Sequence, residues 1–193
     1  MQQVVDFILE IDRLKGITRK TRPVGLDRYE NSAEHSWQLA LLAASMVPHA
    51  AEPVDLDRVI RMLLVHDIGE IEAGDAIFYA EEGVAERKAQ EACAVTRIFG
   101  LLPDPEGAAM LALWQEFEEA TTPEARFAHA ADRAMPVLLN LANDGQSWRE
   151  NGITYQQVVS RLEAPISSGA PALWTYLSVQ LAARHEAGWF GIR

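Results

Sequence analysis

Apolar residues return at every third or fourth position along almost the whole chain. No short stretch alternates apolar and polar positions with β-branched enrichment, so the pattern predicts an all-α protein with no significant sheet. Residues 4–15 carry apolar side chains at 4, 5, 7, 8, 11 and 14, a one-sided helix that stops at Gly16. A second helix is predicted from Asn31 or Ser32, either of which can cap free backbone N–H groups, over about 31–47 and before Pro48. A third, capped near Asp55, covers 56–71. Further helices follow over 85–99, closed by Gly100, and from the Pro103-Asp104-Pro105 break through Glu119. Thr122-Pro123 joins a capping hydroxyl to a proline at the first helical position and predicts a long helix over 123–143. Helices over 154–162 and 171–186 complete a bundle of about seven to eight. Residues 16–31 form a long irregular connection, a length of loop that often serves function.

A chain of 193 residues, 49% hydrophobic and 23% charged, is long enough to bury a core without disulfides, and we read residues 1–193 as one soluble domain. A net charge of -11 argues against a nucleic-acid polymer as partner, because neutralising a phosphate backbone takes clustered Lys and Arg. A small anion in a locally basic pocket remains compatible with it. The N-terminal pattern carries Asp6, Glu10 and Asp12 and reads as an amphipathic helix rather than a targeting peptide, and no run is long enough to span a membrane. The single Cys93 forms no intramolecular disulfide and reads as a helix-packing residue, which points to the reducing cytoplasm.

Against that background the run Met62-Leu63-Leu64-Val65-His66-Asp67-Ile68-Gly69-Glu70-Ile71 stands out, since buried carboxylates must be paired, ligated or neutralised. On a continuous helix His66 and Glu70 lie four apart and Asp67 and Glu70 three apart, at one mouth of a cleft. Glu34-His35 falls in the first turn of the preceding helix, and Asp132 interrupts the apolar face of the long one. Three helices therefore each offer a metal-competent group. The sixteen-residue connection gathers Arg19, Lys20, Arg22 and Arg28 just before the first of them. His129, three residues before Asp132, reads as a packing or supporting residue with a further ligand role open. His49 and His185 read as ordinary surface or packing positions, Glu116 to Glu119 as a solvated face, and Trp37, Trp114, Trp148, Trp174 and Trp189 as core or interface anchors.

This ordered set resembles the HD-domain phosphohydrolases, in particular the 5'-deoxynucleotidase branch. The resemblance is carried by Glu34-His35-Ser36, His66-Asp67-Ile68-Gly69-Glu70, Gly74-Asp75 and Glu124 to Asp132, and spans about residues 7 to 163. It implies an all-α HD-domain bundle in which His35, His66, Asp67 and Asp132 bind one divalent ion. Two imidazoles and two carboxylates suit Mn, Fe, Co, Ni or Zn, and Mg less well. Glu70 aligns with a catalytic glutamate of that branch, and Asp75 with a residue that contacts the sugar or assists proton transfer. Arg19 aligns with an arginine that binds the substrate phosphate, with Lys20 and Arg28 as secondary contacts. Lys20 stands where those nucleotidases carry a tryptophan, so the aromatic that shapes their pocket is missing. The implied activity is metal-dependent hydrolysis of a (deoxy)nucleoside 5'-monophosphate or similar small phosphomonoester by a cytoplasmic homodimer, with the helices over 154–186 used for packing or dimerisation. The same ligand set could serve a cyclic-nucleotide or alarmone phosphodiesterase, and a catalytically silent regulatory module is the rival outside enzymes.

Overall fold

The computed structural model describes residues 1–79 and 83–190. Within them the chain forms α1 (Gln2–Ile11), α2 (Ser32–Met46), α3 (Leu56–Val65), α4 (Glu70–Ala73), α5 (Val84–Phe99), α6 (Glu106–Glu119), α7 (Pro123–Ala142), α8 (Gln146–Glu150), α9 (Tyr155–Gly169) and α10 (Pro171–Glu186). Eight of these have seven residues or more, no strand occurs among the described residues, and the all-α expectation holds. None of the described helices is long and apolar enough to cross a membrane.

The helix starts follow local chemistry. Asn31 accepts from the Glu34 amide while Glu34 reaches back to the Asn31 N–H, a capping box that starts α2. Thr122 and Thr154 cap α7 and α9 through their hydroxyls. A helix α8, absent from the sequence reading, is short and follows the left-handed Gly145. Helix α9 continues through Pro165 well past the expected residue 162, because its apolar face, with Val158, Leu162 and Ile166 buried, packs along α7.

α7 is the central element. Ala125, Ala128, Ala130, Ala131 and Ala134 are all buried on it, and small side chains let neighbours approach closely. Ala125, Ala128, Ala131, Met135 and Leu139 of α7 join Leu39, Met62, Leu63 and Phe117, while Ala134 and Val137 pack with Trp148, Ile166, Leu177 and Leu181. Fully burying each large side chain of this kind is worth about 1.5–3 kcal/mol. At Gly169 the approach is closest: a Cβ there would lie 2.1 Å from the Arg126 carbonyl oxygen. Gly169→Ala is therefore expected to force α9 off α7 and cost about 3 kcal/mol, seen as a melting temperature lower by roughly 6–12 °C. An unchanged melting curve would contradict this packing.

Three expectations fail. Trp37 is 62% exposed on α2 rather than in the core, and Cys93 is exposed on α5 rather than packed. The predicted helix over 56–71 breaks: α3 ends at Val65, and Ile68, Glu70 and Ile71 each donate to the carbonyl three residues earlier across the junction with α4. The freed His66 carbonyl accepts instead from the Trp114 indole at 3.1 Å. Gly69 allows the tight crossing with α5, since a Cβ there would meet the Glu91 Cβ at 2.9 Å.

Candidate metal centre and substrate cavity

His66 lies at the end of α3, where its Nδ1 is 2.8 Å from the Leu63 carbonyl. A carbonyl only accepts, so Nδ1 carries the proton and a neutral ring turns the lone pair of Nε2 toward the interior. There Asp67 Oδ1 lies 3.0 Å away and Asp132 Oδ1 3.7 Å, and His66 Nε2 is buried without a hydrogen-bond partner. A lone pair facing two carboxylates is an arrangement that only a proton or a cation relieves. Burial works against the proton, yet Asp67 and Asp132 outweigh it and raise the His66 pKa.

His35, in the first turn of α2, comes from the opposite side, with Nε2 3.1 Å from the same Asp132 oxygen. Burial and then Arg19 push it down to about 4, so its ring is neutral. Behind it the buried Glu30 places Oε1 3.7 Å from Nδ1, the position of an outer carboxylate that orients a ligating imidazole. Asp132 sits on α7, and although burial opposes its charge, Arg133 and the two histidines hold its pKa well below the usual range. One donor atom each from His35, His66 and Asp132 lie within 4.8 Å of one another. This donor set and the unsatisfied Nε2 fit a divalent cation.

Asp67 reaches this group through His66, and its other oxygen accepts from Arg19 Nη1 at 3.0 Å. The connection over 16–31 folds back on itself, with Arg19 N–H donating to the Glu30 carbonyl and Glu30 N–H to that of Thr21. Arg19 is thereby drawn inward to 13% exposure, ringed by Asp67, Glu30 at 3.4 Å, Asp75 at 3.8 Å and Glu70 at 4.0 Å. The basic loop of the sequence is thus mostly paired. Arg28 grips Glu34 with both guanidinium arms away from the cavity, and Arg22 bonds Asp27 and Glu150. Lys20 is exposed at the cavity wall.

Glu70 and Asp75 form a hydrogen-bonded carboxyl pair, with Glu70 Oε2 also accepting from Ser32 Oγ at 2.6 Å. Burial, then Asp67, raises the Glu70 pKa well above the ordinary value despite Arg19, and burial raises Asp75 as well. The same surroundings thus favour the protonated form of both carboxyls beside the cluster. His129 turns away: its Nε2 meets the Phe117 carbonyl at 2.7 Å and its ring stacks on Phe117.

These groups open onto a cavity of about 300 Å³, in the range of small-molecule sites. Its lining includes residues to which the sequence reading gave no role in the site, among them Phe78, Tyr79, Glu91, Arg133, Arg161 and the buried Trp148. Burial, then Glu118 and Asp67, raises Glu91 to about 7, and burial pushes the Tyr79 phenol up to about 12 while the Trp148 indole bonds to it. Arg133, directly after Asp132, was the one wall residue whose sequence position offered a signal.

A model of the HD-domain family matches residues 11–174. The chain is 38% identical to a protein of Magnetospirillum magnetotacticum MS-1 described as a predicted metal-dependent phosphohydrolase. That crystal structure covers 99% of this chain and 98% of its own, with a TM-score of 0.92. The 5'-deoxynucleotidase HDDC2 of Homo sapiens is 26% identical over 184 residues, 86% of this chain and 89% of that protein. Its Xenopus laevis counterpart is 27% identical over 136 residues, 68% of this chain and 66% of that protein, so this match leaves about a third of the relative uncovered.

Proposed function

The chain belongs to the HD-domain family, and from that premise we propose that it is a metal-dependent phosphohydrolase acting on a (deoxy)nucleoside 5'-monophosphate or similar small phosphomonoester. The observation that carries the reading is the buried His66 Nε2, facing Asp67 and Asp132 with no hydrogen-bond partner of its own and lying beside the Glu70 and Asp75 carboxyls, whose pKa values burial raises. His35, His66, Asp67 and Asp132 would hold one divalent ion, with Mn, Fe, Co, Ni, Zn and Mg as the metals to compare. Bound there, the ion supplies Lewis acidity toward the phosphoryl group.

The chain's own groups then divide the remaining work. Glu30 orients the His35 ring, and Arg19 fixes Asp67 and draws Glu70 and Asp75 together while presenting positive charge to the incoming phosphate. Ser32 holds Glu70 by one oxygen, and the protonated Glu70 gives its proton to the ester oxygen that leaves. Water attacks phosphorus as the ester P–O bond breaks, and the proton this water gives up goes to the Glu70–Asp75 pair and returns it to its starting state. The cavity lining around Tyr79 and Trp148 receives the nucleoside. The reading also includes a cytoplasmic homodimer, for which the exposed Trp37 and Leu41 on α2 and Tyr176 and Val179 on α10 offer apolar surface.

The test is phosphate release across nucleoside 5'-monophosphates, cyclic nucleotides and other diesters, using metal-stripped protein resupplied with each divalent ion. Turnover of monoesters that depends on added metal is expected. Turnover restricted to diesters would move the reading to a phosphodiesterase, and no turnover by metal-loaded protein would leave a regulatory module.

A further inference from the structure

The cavity holds a cation beyond those of the loop that is placed to bind the substrate phosphate. Arg19 already faces Asp67, Glu30, Asp75 and Glu70, so most of its charge is spent inside the protein. Arg133 is differently placed. Its Nη1 lies 3.3 Å from Asp132 Oδ2, the oxygen turned away from the histidines, and its guanidinium carbon lies 4.0 Å over the Phe78 ring. The side chain is 27% exposed and lines the cavity.

We propose that Arg133, seated on Phe78, is a second phosphate-binding arginine of this cavity, beside the Arg19 to which the sequence reading gave that role. This rests on the reading that a phosphorylated substrate is cleaved here. Stacking on an aromatic face is worth about 0.5–2 kcal/mol and fixes the plane of the guanidinium without consuming its N–H donors. Asp132 engages one arm, and the rest of the planar fork remains for phosphate oxygens, which it can meet two at a time. The distance from the cluster is suitable as well, because any group held at Asp132 lies within one side-chain contact of Arg133. Lys88, also on the wall, is bound to Glu118 at 2.9 Å and sits on the α5 side.

The experiment compares wild type with Arg133→Gln, Arg133→Lys and Phe78→Leu, each loaded with the same divalent metal. Steady-state kinetics on the best monoester are combined with calorimetric binding of inorganic phosphate, which needs no turnover. Arg133→Gln is expected to raise KM and the phosphate Kd by about 10–100-fold, the usual range for losing hydrogen bonds to a charged group, with metal content unchanged. Arg133→Lys should recover only part of this, and Phe78→Leu should weaken phosphate a few-fold by releasing the guanidinium. Unchanged phosphate affinity in Arg133→Gln overturns the proposal, as does a variant that loses metal and kcat together while binding phosphate normally, which would make Arg133 a support for Asp132. Because phosphate binding is read separately, a wild type that binds phosphate through Arg133 yet hydrolyses no monoester would refute the nucleotidase reading and leave this one standing.

Discussion

His66→Ala protein supplied with divalent metal is expected to fold, retain no stoichiometric divalent ion, and lose at least about 10³-fold in turnover, since Lewis-acid assistance amounts to several kcal/mol. The local geometry explains why the loss should be so complete. His66 Nε2 has no other buried partner, and Asp67 and Asp132 converge on the same atom. Without the ring, two carboxylates and His35 remain, and Asp67 is left with Arg19 alone. Asp132→Ala should behave alike, because Asp132 is the point where His35 and His66 meet. His129→Ala, which alters a ring stacked on Phe117, should keep its metal and serves as the control. The pH dependence follows from the raised His66 pKa. In metal-stripped protein the proton on His66 contributes stability that is fully present below the unfolded pKa and is lost as pH rises through the higher folded value. A cation competes with that proton, so metal affinity should climb over the same interval. Metal analysis across that range decides the matter, and full occupancy in folded His66→Ala would defeat the assignment.

The parts of the site that could be read from the sequence were those that violate a local pattern. Asp132 breaks an apolar helix face, His66-Asp67 sits inside an apolar run, and Asn31, Thr122 and Thr154 carry cap chemistry, so the ligand helices began where the sequence placed them. What escaped was set by residues distant in the chain. The helix expected over 56–71 obeys its own periodicity, but α5 crosses at Gly69 and Trp114 captures the His66 carbonyl, so the last helical turn gives way to a tighter one. Glu70 consequently reaches the cluster from a separate short helix, not from four residues along the same one. Glu30 lies in a polar loop where nothing in the local pattern marks it, and only the fold-back of that loop buries it behind His35. Trp37 failed for another reason. Apolar identity says what burial would be worth, not that it occurs, since much of any folded surface is apolar.

Glu70→Gln should retain metal, KM and thermal stability near those of wild type while kcat falls by about 10²–10⁴-fold, the usual contribution of a positioned acid or base. Glutamine preserves the shape and can still accept from the Ser32 hydroxyl, so the substitution removes the exchangeable proton with little else. The pH profile identifies which form acts. Burial and the neighbouring Asp67 and Asp75 favour the protonated carboxyl, and an enzyme that uses it as a proton donor loses activity as pH rises through its raised pKa. That limb should vanish in Glu70→Gln. Ser32→Ala supplies the complementary shift: the hydroxyl donates to Glu70 and favours the carboxylate, so its removal should move the limb to higher pH without abolishing turnover. Arg19→Ala should do the same more strongly, because Arg19 also favours the ionised form, but at the cost of disordering Asp67. If Glu70→Gln turns over at close to the wild-type rate, or keeps the alkaline limb unchanged, proton transfer belongs to another group, and Asp75, which shares the hydrogen bond, is the first to examine.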